Sequence, residues 1–318
     1  MAEERPIVVV GSINIDLVAV ADRIPAVGET VLGTDFQIHP GGKGANQAVA
    51  IARLGHPVQM IGRLGNDGFG TQLRTNMQAV GVDCSGVATC EGPSGVAVIL
   101  VSNRGENCIV VAPGANAKVT PRDVESSLPI IRRAGMVLTQ LEIPMETVEC
   151  LCTLCQREGI PLILDPAPAH ELPPVVFQSL EWFTPNQTEA AFYAGTRNGA
   201  MGTTSPEDAA RSLLSKGCRG VLLKLGSRGA YLATSRHSGQ FVSAFRVSAV
   251  DSTAAGDAFN GAFATGLALG KSPRESAIFA AAAAAISVTR AGAQTSMPTM
   301  SEVQQFLQDH MIKDRDGM

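Results

Sequence analysis

Short apolar runs rich in β-branched residues recur along this chain, and each is followed by a segment with helical periodicity. The runs are PIVVVG, PVQMIGRLG, AGMVLTQLE, IPLILDPAP, LEWFTPN and GVLLKLG. Strands that are apolar on both faces are typical of parallel sheets covered by helices on each side. The pattern therefore predicts an α/β fold with a doubly wound, mostly parallel sheet and helices on both faces.

Two segments interrupt this alternation of strands and helices. Residues 13–39 and 94–116 contain further strand patterns, and the second has a turn at Asn103 to Gly105. We expect antiparallel strands that form a small β lid at the carboxyl edge of the sheet, where open α/β sheets bind ligands. The sequence thus predicts a single domain over residues 1–318 with a lid, and a surface loop at 199–205.

Composition argues against several classes of partner. The 25 Lys and Arg residues are scattered and are outnumbered by 29 Asp and Glu, so we expect no nucleic-acid and no membrane partner. The first residues lack a cationic signal region, and no apolar stretch reaches membrane-spanning length. Seven cysteines show no disulfide framework, which is typical of a reducing compartment. We therefore expect a cytoplasmic protein.

The stretch CLCTLC at 150–155 has both a metal-binding and a structural interpretation. Val148, Leu151, Cys152 and Cys155 recur at the spacing of one helix face. Cysteine often serves as a small buried apolar residue. We therefore interpret the stretch as a buried helix face rather than a metal site.

The segment VDSTAAGDAFNGA places three small residues, Ala254, Ala255 and Gly256, directly before Asp257 and a predicted helix. Backbone N–H groups at a helix N-terminus bind anions, and small side chains let a phosphate approach them. A tight turn before the helix is a second, purely structural explanation for these small residues. If the segment is an anion site, an acid placed there can act on whatever approaches that anion.

The two familiar phosphate-binding loops are absent from the sequence. GLALGKS at 266–272 is too short for a Walker A loop and reads as a helix end followed by a capping box. GGKGAN at 41–46 fits neither the Walker nor the dinucleotide-binding pattern. This disfavours a P-loop NTPase and a nicotinamide-dependent oxidoreductase.

Polar residues follow several predicted strands or begin the helices after them. Because the carboxyl ends of parallel strands share one edge of a sheet, we expect these residues to converge there. The residues are Asn14, Asp16, Lys43, Asn46, Glu142, Asn186 and Glu189.

GGKGANQAVA and DSTAAGDAFNGA resemble the two signatures of the ribokinase-type (PfkB) carbohydrate kinases. Shorter matches occur in the family's order across nearly the whole chain. They are GSINID, VGETV, GENCIVVAPGAN, LDPAPA, TPNQTEA, LGSRG and VTRAGAQTSMP. The resemblance implies an ATP-dependent sugar kinase that needs Mg²⁺ and K⁺.

The resemblance also implies roles for particular residues on the sugar side. The sugar hydroxyls would be held by Asn14, Asp16, Gly42, Lys43, Gly44, Asn46 and Glu142. Asp257 would be the general base, beside the anion-binding backbone of Ala254, Ala255 and Gly256.

On the nucleotide side, the resemblance implies contacts with ATP and two kinds of cation. ATP would be contacted by Asn186, Lys224, Leu225, Gly226, Ser227, Arg228, Gly229, Gly256 and Asp257. Asn186 and Glu189 would place Mg²⁺ and phosphate. The monovalent cation would be held by Asp251, Thr253, Ser287, Arg290, Gly292 and Ser296. Ala281 departs from the polar or imidazole side chain that relatives often carry near the adenine, which leaves nucleotide selectivity open.

The expected reaction is phosphorylation of D-ribose at O5 by ATP, giving D-ribose 5-phosphate and ADP. Kinases of 2-deoxyribose, fructose or nucleosides are alternatives, although aromatic residues form only 4% of the chain and a nucleoside would need an aromatic lid. A sugar-binding regulator without turnover is a further alternative, which the intact Asp257 disfavours. We also expect a homodimer that pairs through exposed lid strands.

Overall fold

The structure is a computed structural model that describes residues 4–195 and 205–316. Nearly all of the predicted surface loop at 199–205 lies outside these residues. In chain order the strands are β1 (Ile7–Val10), β2 (Asn14–Ala21), β3 (Gly33–Gly41), β4 (Val58–Gly65), β5 (Asp83–Cys90), β6 (Gly95–Ser102), β7 (Asn107–Ala112), β8 (Met136–Thr139), β9 (Leu162–Leu164), β10 (Trp182–Phe183), β11 (Gly220–Lys224), β12 (Ala230–Thr234) and β13 (His237–Val242).

Helices connect most of these strands. In chain order they are α1 (Lys43–Arg53), α2 (Gly68–Ala79), α3 (Pro121–Ser126), α4 (Leu128–Ile131), α5 (Met145–Glu158), α6 (Pro174–Ser179), α7 (Gln187–Tyr193), α8 (Pro206–Leu214), α9 (Ala255–Ala268), α10 (Pro273–Ser287) and α11 (Met300–Asp316). Short 3₁₀ turns lie at Gly114–Lys118, Gly226–Arg228 and Gln294–Ser296.

The large sheet has the strand order β13-β12-β11-β10-β9-β8-β1-β4-β5. Its strands from β11 to β5 run parallel, whereas β12 and β13 are antiparallel additions at one edge. The prediction of a mostly parallel sheet is confirmed. The sequence patterns did not identify β5, β12 or β13.

Two apolar cores cover the faces of the large sheet. One packs α1, α9 and α10 against the sheet and includes the fully buried Phe263 and Ile51. The other packs the helices from α3 to α8 and includes Phe183. Helices therefore lie on both faces, as predicted.

The CLCTLC stretch lies on α5, and Val148, Leu151, Cys152 and Cys155 are each fully buried in the second core. Burial raises the pKa of the Cys155 thiol to about 12. A thiol that does not ionise is a poor metal ligand. The predicted buried helix face is therefore confirmed.

A second, four-stranded sheet has the order β3-β2-β6-β7 and is formed by the two segments that interrupt the alternation. We call it the lid sheet. It departs from β1 at the carboxyl edge of the large sheet, since β2 follows β1 after a short turn. The pairs β2/β3 and β6/β7 are antiparallel, but β2 pairs with β6 in parallel. The expectation of wholly antiparallel strands was wrong, because the two central strands come from separate segments rather than one hairpin.

Among residues 4–195 and 205–316, the structure contains no helix with the length and apolar character that a membrane span requires.

Candidate active site

The carboxyl ends of β1, β8, β9 and β10 and the start of α9 meet below the lid sheet. The parallel strands deliver Ser12, Gln140, Asp165 and Asn186 to the same edge. The helix α9 faces this edge with its N-terminus, and Asp257 lies in its first turn. Most of the polar residues expected to converge do so.

The start of α9 has an unusual backbone. Ala254 precedes the helix with a φ of 55°, and no other non-glycine residue in the described ranges has a positive φ. At Gly256 an added Cβ would lie 3.7 Å from the Lys224 Nζ atom. The small residues therefore keep the backbone N–H groups at this helix N-terminus accessible from the pocket beside them.

Asp257 is 5% exposed and is held from the side of α1. Its Oδ2 atom accepts a hydrogen bond from Asn46 Nδ2 at 3.0 Å, and its Oδ1 atom accepts one from Gln47 Nε2 at 3.1 Å. Burial raises the pKa of Asp257, and the nearby Lys43 charge opposes that rise. A buried carboxylate with a raised pKa is suited to accept a proton.

The sugar-side residues form a crowded group of acids. Burial and the nearby charges of Glu142 and Asp257 raise the pKa of Asp16 to about 6. Ser12 Oγ donates to Glu142 Oε2 at 2.5 Å, and the backbone N–H of Lys43 donates to the same oxygen at 3.2 Å. These contacts bring the sequence-predicted Asp16, Lys43 and Glu142 together.

Two glycines make room for this group. A Cβ at Gly41 would collide with the Asp16 carboxylate, and a Cβ at Gly42 would lie 2.6 Å from the backbone nitrogen of Asn14. Gly42 also has a φ of 86°, which favours glycine. Asn14 is buried, and its side-chain oxygen accepts from Asn116 Nδ2 at 2.6 Å.

A polar pocket of about 430 Å³ lies beside Lys43 and is lined by the starts of α7 and α9. Lys43 and Lys224 provide its positive charges. Burial disfavours the charged form of Lys43, but the carboxylates of Asp257, Asp165 and Glu142 raise its pKa overall. Lys224 Nζ forms an ion pair with Asp165 Oδ1 at 2.7 Å. Two ammonium groups beside a helix N-terminus suit a polyanion such as a triphosphate.

Asn186 and Glu189 form the capping box of α7 at the rim of this pocket. Asn186 Oδ1 accepts from the Glu189 N–H at 2.9 Å, while Glu189 Oε2 accepts from the Asn186 N–H at 2.7 Å. Burial raises the pKa of Glu189, and Lys224 opposes that rise. A single carboxylate with a neighbouring amide suits Mg²⁺ that is bound mainly through phosphates and water.

A second, mostly apolar cavity of about 470 Å³ adjoins the polar pocket and shares Gly226 and Gly256 with it. Ser227, Gly229 and Ala281 line this cavity, together with Phe245 and several alanine and valine side chains. Its shape and apolar lining suit a nucleobase.

Two residues of the predicted nucleotide stretch, Leu225 and Arg228, line neither pocket. Leu225 is 1% exposed and packs in the second core, so only its backbone could face a ligand. Arg228 is exposed and donates to Gln187 Oε1 at 2.8 Å.

The residues expected to hold a monovalent cation are brought together only in part. Asp251 Oδ1 accepts from the Thr253 hydroxyl at 2.7 Å, and its Oδ2 accepts from the Gly292 N–H at 2.8 Å. Burial raises the pKa of Asp251, but these hydrogen bonds lower it overall, so the carboxylate is ionised. This links the loop after α10 to the segment before α9.

The other three residues predicted to hold the cation have side chains that contact other groups. Arg290 pairs with Glu302 on α11, at 2.6 Å. The hydroxyl of Ser287 donates to the Ala284 carbonyl at 2.9 Å, and that of Ser296 donates to the Ala293 carbonyl at 2.7 Å.

Sequence reasoning missed several polar residues of the site. Asp165 follows β9 at the carboxyl edge, and the rule that identified Glu142 and Asn186 would have found it. Gln47, Gln140 and Asn116 are neutral amides without a distinctive pattern, and only the packing reveals their contacts.

Comparison with known proteins identifies the family. The pfkB family carbohydrate kinase model matches residues 4–300. A ribokinase of Bacillus subtilis is 42% identical over 306 residues, which cover 95% of this chain and 99% of the relative. A deoxyribokinase of Salmonella typhi is 35% identical over 304 residues, which cover 95% and 98%.

Solved structures agree with this assignment. The structure of Arabidopsis thaliana ribokinase complexed with ribose and ATP has a TM-score of 0.89 and 35% identity, covering 96% of this chain and 99% of that one. The chain therefore belongs to the pfkB family of carbohydrate kinases.

Proposed function

We propose that this protein transfers the γ-phosphoryl group of ATP to O5 of D-ribose, giving D-ribose 5-phosphate and ADP. The observation that carries the proposal is the position of Asp257. This buried carboxylate lies between the sugar-side acids and a pocket with two lysines and a helix N-terminus. The base and the anion site therefore face the same small space, as phosphoryl transfer to a hydroxyl requires.

In the proposed mechanism Asp257 accepts the proton of the ribose 5-hydroxyl as that oxygen attacks the γ-phosphorus. The bond between the γ-phosphorus and the bridging oxygen breaks, and ADP leaves with its electron pair. The backbone N–H groups at the start of α9, with Lys43 and Lys224, stabilise the charge on the phosphoryl oxygens. Mg²⁺, bound to the ATP phosphates near Asn186 and Glu189, would neutralise further charge.

A coupled ADP-release assay with ribose, 2-deoxyribose, fructose and adenosine tests the proposal. We expect ribose to have the highest kcat/KM. Asp257→Asn should lower kcat by about 10² to 10⁴ because it removes the base, while ribose binding measured by calorimetry survives. Activity of this variant within a few-fold of wild type would overturn the role of Asp257. Ribose binding without ADP release by the wild type would indicate a regulator.

The second candidate substrate is 2-deoxyribose, which the deoxyribokinase relative favours. In this proposal Asp16 accepts hydrogen bonds from vicinal hydroxyls, and a buried acceptor left unpaired disfavours an analogue that lacks one. Asp16→Ala should therefore reduce kcat/KM for ribose far more than for 2-deoxyribose. Equal kcat/KM values for the two sugars in the wild type would instead indicate a deoxyribokinase or an unselective pentose kinase.

We further propose that K⁺ binds beside Asp251 and fixes the backbone of residues 254–256. Support comes from the ionised Asp251 carboxylate, which ties the loop containing Gly292 to the segment before α9. Carbonyl oxygens with one carboxylate suit a large, weakly hydrated ion. K⁺ should raise kcat at saturating ATP and ribose, Na⁺ should substitute poorly, and Asp251→Ala should abolish the response. A flat K⁺ titration at constant ionic strength contradicts the site.

We also propose that the whole chain acts as one kinase domain whose lid sheet closes over the sugar, and that two copies pair through this sheet. The face opposite Asp16 carries the exposed side chains of Phe36, Ile38, Val98 and Val110. A contiguous apolar face of this kind is typical of an interface. A cytoplasmic location is proposed because the seven cysteines are unpaired thiols.

A further inference from the structure

Gln47 lies directly behind the proposed base and contacts two carboxylates. It is on α1, fully buried, one residue after Asn46. Its Nε2 atom donates to Asp257 Oδ1 at 3.1 Å and to Asp165 Oδ2 at 3.0 Å. A side-chain amide nitrogen carries two hydrogens, so each carboxylate can receive one.

The orientation of this amide is fixed from its other end. Gln140, also fully buried, donates from Nε2 to Gln47 Oε1 at 2.7 Å. A Cβ at Gly11 would collide with the side-chain oxygen of Gln140, so Gly11 leaves the space that this amide occupies. The reversed orientation of Gln47 would point its oxygen at two carboxylates, which is unfavourable. Gln47 therefore presents its N–H groups to Asp257 and Asp165.

Asp165 continues this chain of contacts to the nucleotide side. Its other oxygen, Oδ1, pairs with Lys224 Nζ, and Lys224 lines both the polar pocket and the apolar cavity. Contacts thus run without interruption from Lys224 through Asp165 and Gln47 to Asp257. A neutral amide at the centre of this chain orients Asp257 without adding a positive charge that would weaken its basicity.

We propose that Gln47 is a positioning residue that holds Asp257 in line with the phosphate-binding group around Lys224, through its shared hydrogen bonds to Asp257 and Asp165. The inference rests on the proposed function. Gln47 is fully buried and lines neither pocket, so it would act through the two carboxylates. Its contribution should therefore appear in kcat and in the pH dependence of kcat rather than in the KM values.

The test compares Gln47→Met with Gln47→Glu in the ribose and ATP assay across pH. Gln47→Met keeps the length of the side chain but removes both donors, and we expect kcat to fall by on the order of 10²-fold with KM values within a few-fold. The hydrogen bond from Gln47 lowers the pKa of Asp257. Its loss should therefore move the acid limb of the kcat profile to higher pH, and the added negative charge in Gln47→Glu should move it further.

Gln59→Met is the matched control. Gln59 is a nearly buried amide on β4 that donates to Asp83 Oδ2 at 2.7 Å, away from the carboxyl edge of the sheet. It should change thermal stability without moving the acid limb. If Gln47→Met does not fold, Gln47→Glu carries the test. The inference would be overturned if the variant that folds has the kcat of the wild type and an acid limb at the same pH. A wild-type protein that does not phosphorylate ribose would instead refute the proposed function.

Discussion

At the residue scale, the ionisation of the partly buried Asp16 carboxylate opposes folding. Its carboxylate lies near Glu142 and Asp257, and burial together with these charges raises its pKa from 3.8 to about 6. The folded protein therefore binds this proton more tightly than the unfolded chain does. The resulting stability is fully present below pH 3.8 and is lost as the pH rises through about 6.

Replacing Asp16 by Asn should therefore stabilise the fold at pH 8. The gain in unfolding free energy should reach at most about 3 kcal/mol at pH 8 and should vanish near pH 4. KM for ribose should rise, because the amide is a weaker acceptor for sugar hydroxyls. Denaturant unfolding at the two pH values measures the first effect.

Asp83→Asn is a control for which the opposite change in unfolding free energy is expected. Burial raises the pKa of Asp83, but hydrogen bonds from Gln59 and Ser85 lower it overall. Removing the charge of Asp83 should therefore destabilise the fold at pH 8. Equal unfolding free energies for wild type and Asp16→Asn at pH 8 would contradict the crowding of acids around Asp16.

How far single residues could be predicted depended on their chemistry. Asp257 and Lys43 lie in the two segments that resemble the family signatures, and the structure places both at one pocket. Asp165 was predictable from its position after β9 and was missed. Gln47 was not predictable, since its role depends on contacts with residues more than one hundred positions away.

At the scale of elements, the N-terminus of α9 contains a strained backbone beside the polar pocket. Ala254 adopts a left-handed conformation that costs an alanine about 1–2 kcal/mol. A strained residue at a ligand site persists when the surrounding structure holds it in place. The cost is consistent with a backbone arranged to direct N–H groups at the pocket.

Substitutions at Ala254 test the cost of the strained backbone and its effect on kcat. Ala254→Gly should raise the unfolding free energy by up to about 1 kcal/mol, because glycine adopts the conformation freely. Ala254→Val should lower it by at least about 1 kcal/mol and reduce kcat, because a β-branched residue resists a positive φ.

Ala268→Val is the control, because Ala268 lies at the exposed C-terminal end of the same helix. It should lower the unfolding free energy by only a few tenths of a kcal/mol, since ordinary helix propensities span only ~0.7 kcal/mol. Chemical denaturation and steady-state rates measure the two effects. A Val variant at position 254 with wild-type stability and kcat would contradict a constrained backbone.

Elements were predictable where the local pattern was strong. Strands buried on both faces, such as β1 and β9, stand out as apolar runs. The edge strand β5 alternates with polar residues, and β13 has a glycine and polar residues, so neither carries that pattern. The parallel pairing of β2 with β6 depends on tertiary contacts that no local turn encodes.

At the scale of the whole molecule, the lid sheet has two different faces. Side chains alternate along each strand, so Asp16 and its neighbours across the sheet point to one side. Leu17 pairs with Ile38 and Val98, and Val98 pairs with Val110, which places these apolar residues on the other side. Val110 is 65% exposed and Phe36 58% exposed in the single chain. A second copy that covers this face would remove it from water.

Val110→Lys should therefore dissociate the proposed dimer. A lysine ammonium in a closed apolar interface is strongly disfavoured, since its desolvation is not repaid by a partner charge. Sedimentation at micromolar concentration should give about twice the chain mass of 33.1 kDa for the wild type and a value near 33.1 kDa for the variant. Leu269→Lys places the same charge at an exposed position beyond the far end of α9 and should leave the wild-type mass unchanged. A wild-type mass near that of one chain would contradict pairing through the lid sheet, and the apolar face would then remain exposed to water in the free protein.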